Sequence, residues 1–522
     1  MLVAIPQINY NCGDVQGNTK KIISAVEQAQ KQKANLVIFP ELAISGAVPQ
    51  DLLEQEKFIS ECRLAIENIA LKSSNIAIII GAPNLDLDNG IMYNSAYFIA
   101  NGEVTDGVHK NILSDYDVVN ESRYFIAGED NNAIKYMGQN IRIIFDEYES
   151  EFIENSDSFV VNIGMQVFTK NNINDRKQTL ANIAKRYNKN IISVNHLGAY
   201  TSLLFDGNSM VASYKGDVVK CLNEFVEDFQ IIDTNKLGKM PALVTRKINK
   251  IDLLYRAIYF GVKEYFTKNG FTKAILGLSG GIDSAVVASI AVDVLGKDNV
   301  FGLLMPSEYS TDHSLSDAEA LAINLGMKYQ TVAIKDIYNQ FMSSLAPLFE
   351  GQEFNVAEEN LQARSRAVLV MAMSNKFGHI ALNTTNKSEA AVGYGTLYGD
   401  CCGSISILGD VYKTEVYKLA KHINRERELI PLNTITKAPS AELRPGQVDQ
   451  DSLPEYDKLD AIIKLYIEEN LDAEKIIAQG HDKAMVEKVI RMINNNNYKR
   501  AQCPACIKLT KKAFGSGRRF HY

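Results

Sequence analysis

Ala274-Ile-Leu-Gly-Leu278 runs without a break into Ser279-Gly-Gly-Ile-Asp-Ser284. The apolar run Phe271–Leu278 reads as a strand, and Ser284–Leu295 reads as a helix. Between them, adjacent glycines let backbone N–H groups approach an anion without interference from a Cβ. The helix start adds free N–H groups and a dipole that favours negative charge. Ser279 and Ser284 supply hydroxyl donors. Asp283 repels a phosphate unless Mg²⁺ lies between them, so the loop points to a metal-bridged pyrophosphate. The Gly-Lys-Ser/Thr of a Walker loop is missing, which argues against transfer of a terminal phosphoryl group.

On either side of this loop the pattern is regular. Ile251–Lys268 reads as a helix, Val300–Met305 as a strand, Ser314–Leu325 as a helix and Tyr329–Ile334 as a strand. That βαβ rhythm predicts a parallel sheet with crossover helices. Upstream, Thr234–Lys247 carries Gly238, Pro241 and several basic residues and reads as a linker. Before it, apolar runs at Asn35–Phe39, Asn75–Ile80, Ile141–Phe145, Ser158–Ile163 and Asn190–Val194 read as strands buried on both faces, with a helix over Asp51–Leu71. The expectation is an α/β protein of two domains, over residues 1–238 and 246–522.

Composition narrows the class. The chain has 522 residues, 46% apolar and 22% charged, with a formal net charge of -7. Nothing here suggests disorder or non-specific nucleic-acid binding. No apolar run reaches the roughly 18–20 residues that span a bilayer, and the N-terminus lacks a basic leader, so a cytoplasmic protein is expected. Seven cysteines, an odd and sparse set, suit reduced thiols. Cys503-Pro-Ala-Cys506 has redox or metal-ligand spacing but no second pair to complete a zinc ribbon, and free thiols are expected. His196 follows a strand and reads as structural. Lys508, Lys511, Lys512, Arg518 and Arg519 read as a solvated tail. Tyr309–His313, polar and just beyond a strand, lies where a mobile lid would sit.

Ser-Gly-Gly-x-Asp-Ser resembles the pyrophosphate-binding loop of ATP pyrophosphatases. After it come Glu359-Asn-Leu-Gln-Ala-Arg364, Asn383-Thr-Thr-Asn-Lys-Ser-Glu389, Gly393-Tyr-Gly-Thr-Leu-Tyr-Gly-Asp400, Gly409-Asp-Val-Tyr-Lys413, Pro439-Ser-Ala-Glu-Leu443 with Gln447, and Tyr498-Lys-Arg500. In that order the series resembles the NAD⁺ synthetases over most of residues 250–510. The resemblance implies a Rossmann-like domain of the adenine nucleotide α hydrolase type. It implies ATP contacts at Gly277, Leu278, Ser279, Gly280, Gly281, Ile282, Asp283, Ser284, Thr384, Lys413 and Ser440. Deamido-NAD⁺ would meet Asn360, Arg364, Glu389, Tyr394, Gly395, Thr396, Leu397 and Lys499, and Asp283 and Glu389 would hold Mg²⁺. The implied reaction moves AMP onto the nicotinate carboxylate, releases pyrophosphate, and lets ammonia displace AMP. Lys413 is the expected catalytic cation, because two anions must meet. Paired synthetase domains, hence a homo-oligomer, are also implied. The rivals are another adenylating amidotransferase and a non-catalytic scaffold; the Asn386-Lys-Ser-Glu389 series argues against the former, and the intact loop, Glu389 and Lys413 against the latter.

Phe39-Pro-Glu-Leu42, Lys110, Glu121-Ser-Arg-Tyr-Phe125, Asn195-His-Leu-Gly198 and Phe205-Asp-Gly-Asn-Ser209 resemble the nitrilase, or carbon–nitrogen hydrolase, superfamily. That resemblance implies an α-β-β-α sandwich over roughly residues 1–235, which in glutamine-dependent synthetases makes ammonia from glutamine. Its active set is Glu, Lys and Cys, here Glu41 and Lys110 with Phe145-Asp-Glu147 where a Cys-Glu-Asp is expected. No cysteine lies between Cys62 and Cys221. A phenyl ring forms no thioester. Gln166-Val-Phe168 replaces Ser-Pro-Tyr, and Tyr200-Thr-Ser202 replaces Gln-Asp-Glu. Several losses together predict a decayed glutaminase, with Glu41 and Lys110, the base and oxyanion stabiliser that the resemblance implies, left as a vestigial buried ion pair and ammonia the direct nitrogen donor; the alternative is a fully glutamine-dependent enzyme with an unrecognised nucleophile.

Overall fold

The computed structural model describes residues 1–105, 107–129, 131–244, 249–515 and 517–518. The chain divides into two compact units, Met1–Ile248 and Asn249–Tyr522.

The first unit contains two stacked sheets. One has seven strands, in the order Asp228–Asp233, Leu2–Gln7, Leu36–Ile38, Ala77–Asp86, Ile91–Ala100 and Glu103–Val104, with Val108–His109 also on Ile91–Ala100. The other has six, in the order Asp217–Cys221, Met210–Ser213, Ile191–Ser193, Phe159–Asn162, Gln139–Ile144 and Ile134–Tyr136. Alternate residues of the two sheets meet in one core, where Val3, Ile5, Leu36, Ile38, Ile141, Ile143, Phe145 and Val161 are buried. The opposite residues of the first sheet, among them Ala4, Val37, Ile78 and Ile80, bury the apolar faces of helices Val15–Lys31 and Glu56–Ala70. Burial on both faces explains why these strands read as unbroken apolar runs. Each fully buried Ile or Phe stabilises the fold by about 1.5–3 kcal/mol.

The second unit is built on a five-stranded parallel sheet in the order Lys328–Thr331, Val300–Leu304, Ala274–Gly277, Ile380–Asn383 and Ile405–Ser406. Helix Ile282–Leu295 is apolar all round and buried on most of its surface. Helix Val356–Phe377 starts at a reciprocal cap, in which Asn355 and Glu358 exchange side-chain and backbone hydrogen bonds. A separate apolar cluster, including Leu459, Ile463, Val486 and Ile493, joins the C-terminal helices.

Several sequence expectations need correction. Phe271 is 37% exposed and lies before the strand, which runs only over Ala274–Gly277. The helix expected over Asp51–Leu71 is broken at Gln55 into a 3₁₀ turn, Gln50–Glu54, and helix Glu56–Ala70, because Gln55 takes an extended backbone. The expected linker begins with a 3₁₀ turn, Thr234–Lys239, capped by the Asp233 carboxylate; residues 245–248 lie outside the described residues. The basic tail is not uniformly solvated. Lys508 is 5% exposed, and the Arg518 guanidinium lies 4.9 Å from the Tyr466 ring centroid. Arg519 lies outside the described residues. No helix among the described residues is long and apolar enough to cross a membrane.

Candidate active site

The Ser279–Ser284 loop sits at the carboxyl end of the central strand Ala274–Gly277, where open parallel sheets place their ligands. Gly280 has φ +76°, and a Cβ there would stand 2.2 Å from the Ser314 carbonyl oxygen. Only glycine fits, on both grounds. The Ser279 hydroxyl accepts from Gly281 N at 3.1 Å and lies 3.1 Å from the Ser284 hydroxyl. Gly281 is the N-cap of helix Ile282–Leu295 and supplies no side-chain cap, so the first-turn N–H groups remain available to a ligand.

A cleft of about 320 Å³ opens over this loop. Its lining includes Gly277, Leu278, Ser279, Gly281, Ile282, Asp283, Ser284, Thr384, Glu389, Tyr394, Thr396, Lys413 and Ser440, all anticipated from sequence. Gly280 lies behind this wall, against Ser314. The Ser440 hydroxyl donates to the Gln447 carbonyl oxygen within its own loop.

Charges converge on the cleft floor. Lys413 Nζ contacts Asp283 Oδ2 at 2.5 Å and Glu389 Oε1 at 3.0 Å, and its side chain is only 3% exposed. The other Asp283 oxygen, Oδ1, accepts from Asn386 Nδ2 at 2.9 Å. Glu389 acts twice. Its second oxygen accepts from Asn386 N, closing a reciprocal cap at the start of helix Lys387–Val392. Burial pushes the Glu389 carboxyl up to about 8, with Lys413 opposing and Asp283 assisting. Burial pulls the Lys413 ammonium down, but Asp283 and Glu389 more than reverse this and hold it above the ordinary lysine range. Asp449, which accepts from the Tyr394 and Tyr456 hydroxyls, adds a third carboxylate to the lining. Asp283, Glu389 and Asp449 thus place three acidic side chains around one close ammonium, and among the described residues no group of three or more is arranged to hold a metal by itself.

Beneath the floor, Lys387 is fully buried. Its Nζ contacts Asp410 at 2.7 Å, Glu468 at 2.9 Å, the Thr510 hydroxyl at 2.7 Å and the Lys512 carbonyl oxygen at 2.9 Å. Ser388 next to it donates to Asp460 and accepts from Lys413 N. These bonds fix helix Lys387–Val392 against the start of helix Lys413–Ile423, which sets the Glu389–Lys413 geometry.

A second group surrounds the Gly393–Leu397 segment. Asn360 Oδ1 accepts from the Thr396 hydroxyl at 2.6 Å, Arg364 Nε donates to the Leu397 carbonyl oxygen at 3.2 Å, and Lys499 Nζ donates to the Gly393 and Gly395 carbonyl oxygens at 2.8 and 2.9 Å. Asn360, Arg364, Gly395, Leu397 and Lys499 do not line the main cleft; Gly395 and Lys499 border a small adjoining pocket. Sequence reasoning missed Asn386, Arg366 and Glu442. Asn386 carries a legible signal, because Asn-x-x-Glu is a capping pattern. Arg366, bonded through Nε to the Met305 carbonyl oxygen, and Glu442, which accepts from the Thr311 and Ser314 hydroxyls, carry none, since both contacts are long-range. Thr311 caps helix Asp312–Leu325 and Ser310 lines the cleft, so the expected lid segment borders the site.

The first unit holds a different cluster. Lys110 Nζ lies 3.0 Å from Glu41 Oε2 and 2.9 Å from Glu121 Oε2, and all three side chains are at most 4% exposed. Asn94 Nδ2 donates to both carboxylates, and Met165 N donates to Glu41. Burial and the Glu121 carboxylate raise Glu41 to about 7 against the pull of Lys110. His196 bonds through Nε2 to the Glu41 carbonyl oxygen, a structural contact. Phe145 follows strand Gln139–Ile144 and is fully buried; Lys110 Nζ lies 6.0 Å from its ring centroid. The Ser114 hydroxyl lies 3.4 Å from Lys110 Nζ.

Comparison with known proteins agrees with this division. Residues 254–503 match the NAD synthase family and residues 2–238 the carbon–nitrogen hydrolase family. The chain is 39% identical to the glutamine-dependent NAD(+) synthetase of Synechocystis sp., over 99% of this chain and 97% of that one. It is 36% identical to the protein of that name from Thermotoga maritima, over 98% and 96%. Among solved structures, the glutamine-dependent NAD⁺ synthetase of Acinetobacter baumannii, in complex with ADP, superposes with a TM-score of 0.79 at 36% identity over 99% of this chain and 98% of that one. The chain belongs to the glutamine-dependent NAD⁺ synthetase family and is a carbon–nitrogen ligase with a nitrilase-like first domain and a Rossmann-like NAD synthetase domain.

Proposed function

We propose that this enzyme amidates deamido-NAD⁺ with ammonia taken directly, and that its first domain no longer hydrolyses glutamine. The observation that carries the reading is Phe145, a fully buried phenyl ring at the strand end where the resemblance calls for a cysteine. Amide hydrolysis by this route needs a thiol or hydroxyl beside a free base. Glu41 and Lys110 keep the places expected of the base and of a charged oxyanion stabiliser, but position 145 supplies neither thiol nor hydroxyl.

In the synthetase domain the nicotinate carboxylate oxygen attacks the α-phosphorus of ATP, the bond to pyrophosphate breaks, and an acyl-adenylate forms. Ammonia then attacks the acyl carbon, AMP leaves and a proton is lost. The Ser279–Ser284 loop binds the pyrophosphate through backbone N–H groups and hydroxyls. Lys413 is placed to neutralise the α-phosphate as the two anions meet. Asp283 and Glu389 would hold Mg²⁺, which neutralises further charge when bound. Asn360, Arg364 and Lys499 shape the Gly393–Leu397 segment around deamido-NAD⁺. The ADP in the Acinetobacter baumannii relative supports an adenine nucleotide in this domain. The chain is expected to work as a homo-oligomer. Helix Lys335–Phe349 buries none of its residues within this chain, and Phe341 and Leu348 stand exposed on it.

The test is NAD⁺ formation from deamido-NAD⁺, ATP and Mg²⁺, with ammonium or with ammonia-free glutamine. Turnover with ammonium alone supports the reading. Comparable turnover with glutamine refutes it, and loss of that turnover in Ser114→Ala would identify the nucleophile.

A further inference from the structure

Lys413, Lys437 and Arg366 are the cations that line the cleft. The two lysines are already neutralised. Lys413 lies between Asp283 and Glu389, and Lys437 Nζ contacts Asp317 at 3.1 Å and the Ser314 hydroxyl at 3.0 Å. Arg366 is different. Its Nε donates to the Met305 carbonyl oxygen at 3.0 Å, and among the described residues its Nη1 and Nη2 meet no carboxylate or other acceptor. A guanidinium stays charged at any working pH, so this is a permanent cation with an empty fork facing the cleft.

Arg366 lies on helix Val356–Phe377, and Ala363, Ala367 and Val370 of the same helix line the cleft with it. Spacings of three and four residues put these side chains on one face, and the two alanines leave room above it. On one side, the bond to Met305 ties the guanidinium to the end of strand Val300–Leu304, which pairs with the strand that carries the Ser279–Ser284 loop. On the other side, the turn after the Gly393–Leu397 segment packs on the same helix face. A Cβ at Gly399 would lie 3.0 Å from the Ala363 Cβ, and Thr396, Gly399 and Asp400 line the cleft. The fork therefore stands where the nucleotide half of the cleft meets the half assigned to deamido-NAD⁺.

Adenylation brings a pyrophosphate portion, an α-phosphate and a carboxylate into this cleft. The Ser279–Ser284 loop takes the first and Lys413 the second, and the carboxylate still lacks a counterpart. A carboxylate presents two oxygens in one plane, and the paired N–H groups at the end of a guanidinium match both. Once the substrates exclude water, a fork without acceptors is costly.

We propose that Arg366 receives the nicotinate carboxylate of deamido-NAD⁺, and so lets the enzyme tell the acid it consumes from the amide it makes. The assignment rests on the deamido-NAD⁺ role proposed above for the Gly393–Leu397 segment. Amidation replaces one carboxylate oxygen by nitrogen and removes the negative charge. The amide accepts from Arg366 through a single oxygen, so NAD⁺ is held less firmly than the substrate it came from and its release is favoured.

The test is calorimetry on the full-length protein, with deamido-NAD⁺, NAD⁺ and ATP titrated separately and no turnover. The parent should bind deamido-NAD⁺ about tenfold or more tightly than NAD⁺. In Arg366→Met the dissociation constant for deamido-NAD⁺ should rise about 20-fold or more, that for NAD⁺ by less than about fivefold, and that for ATP by less than about twofold. Arg366→Lys, which keeps the charge and loses the fork, should fall between the parent and Arg366→Met. A parent that binds acid and amide alike overturns the assignment without any variant. Loss of ATP binding in place of deamido-NAD⁺ binding in Arg366→Met also overturns it and gives the fork to a phosphate. Equal loss of both dinucleotides overturns it by making Arg366 a support of the cleft wall. If the parent binds no deamido-NAD⁺ at all, the proposed function fails and this assignment with it, whereas use of glutamine by the parent refutes only the former.

Discussion

Replacing Lys110 by Met tests whether the buried ion cluster of the first domain supports its fold. In the native fold one ammonium serves two buried carboxylates, Glu41 and Glu121, at 3.0 and 2.9 Å. Methionine keeps much of the volume and removes the charge. Glu41 already titrates near 7 with Lys110 present, against 4.5 in the ordinary state, because burial dominates. Without Lys110 its folded pKa climbs further, and at pH 7.5 the carboxyl folds neutral. Removing one partner from a buried ion pair costs about 4 kcal/mol. For a unit of this size that is a drop in Tm of about 8–16 °C. The sign of the pH dependence follows from linkage. Between the unfolded and folded pKa values the native state binds more protons than the unfolded state, so this contribution to stability falls as pH rises. In the parent that fall ends near pH 7, whereas in Lys110→Met it runs on to higher pH, so the deficit should be level below about pH 6.5 and grow by about 1.4 kcal/mol per unit above pH 7. Urea unfolding of both proteins at several pH values measures it. Ammonia-dependent kcat per folded molecule should stay within twofold of the parent. A pH-independent deficit, or one below about 1 kcal/mol, refutes the buried-pair reasoning.

Three further outcomes are expected. Gly280→Ala puts a methyl group 2.2 Å from the Ser314 carbonyl oxygen at a φ of +76°, so NAD⁺ formation should fall by about 100-fold or more, with ATP binding by calorimetry lost in parallel. Glu389, pushed up to about 8 by burial, is mostly protonated at pH 7, so the apparent Mg²⁺ affinity should tighten severalfold between pH 7 and 9, read as the Mg²⁺ dependence of the rate. Phe145→Cys alone should not restore glutamine hydrolysis in an ammonia-release assay, because Gln166-Val-Phe168 and Tyr200-Thr-Ser202 remain changed.

The sequence showed most clearly what local pattern determines. The strand–loop–helix at residues 274–295 was legible because glycine placement and apolar periodicity both act within a dozen residues. Glu389 and Lys413 were found only as members of a series of motifs. Their mutual contact at 3.0 Å, and Asn386 bridging to Asp283, depend on three helix starts meeting at one point, which no spacing encodes. Glu121 as the second partner of Lys110, Arg366 and Glu442 were unreadable for the same reason. The depth of Lys508 was misjudged because charge in a basic run predicts exposure only on average, and tertiary packing overrides it.

The buried Lys387 has a consequence for how the protein is made. Ribosomes deliver the chain from its N-terminus at about 5–20 residues per second. Helix Lys387–Val392 therefore emerges well before Thr510 and Lys512, which supply two of the acceptors that hold Lys387. Until those residues arrive, an ammonium destined for the interior lacks part of its solvation, and the helix that presents Glu389 has no reason to settle. The cleft floor is thus completed by residues translated more than 120 positions after it. A nascent chain stalled short of that point has its phosphate loop, its sheet and its whole first domain, yet no assembled centre.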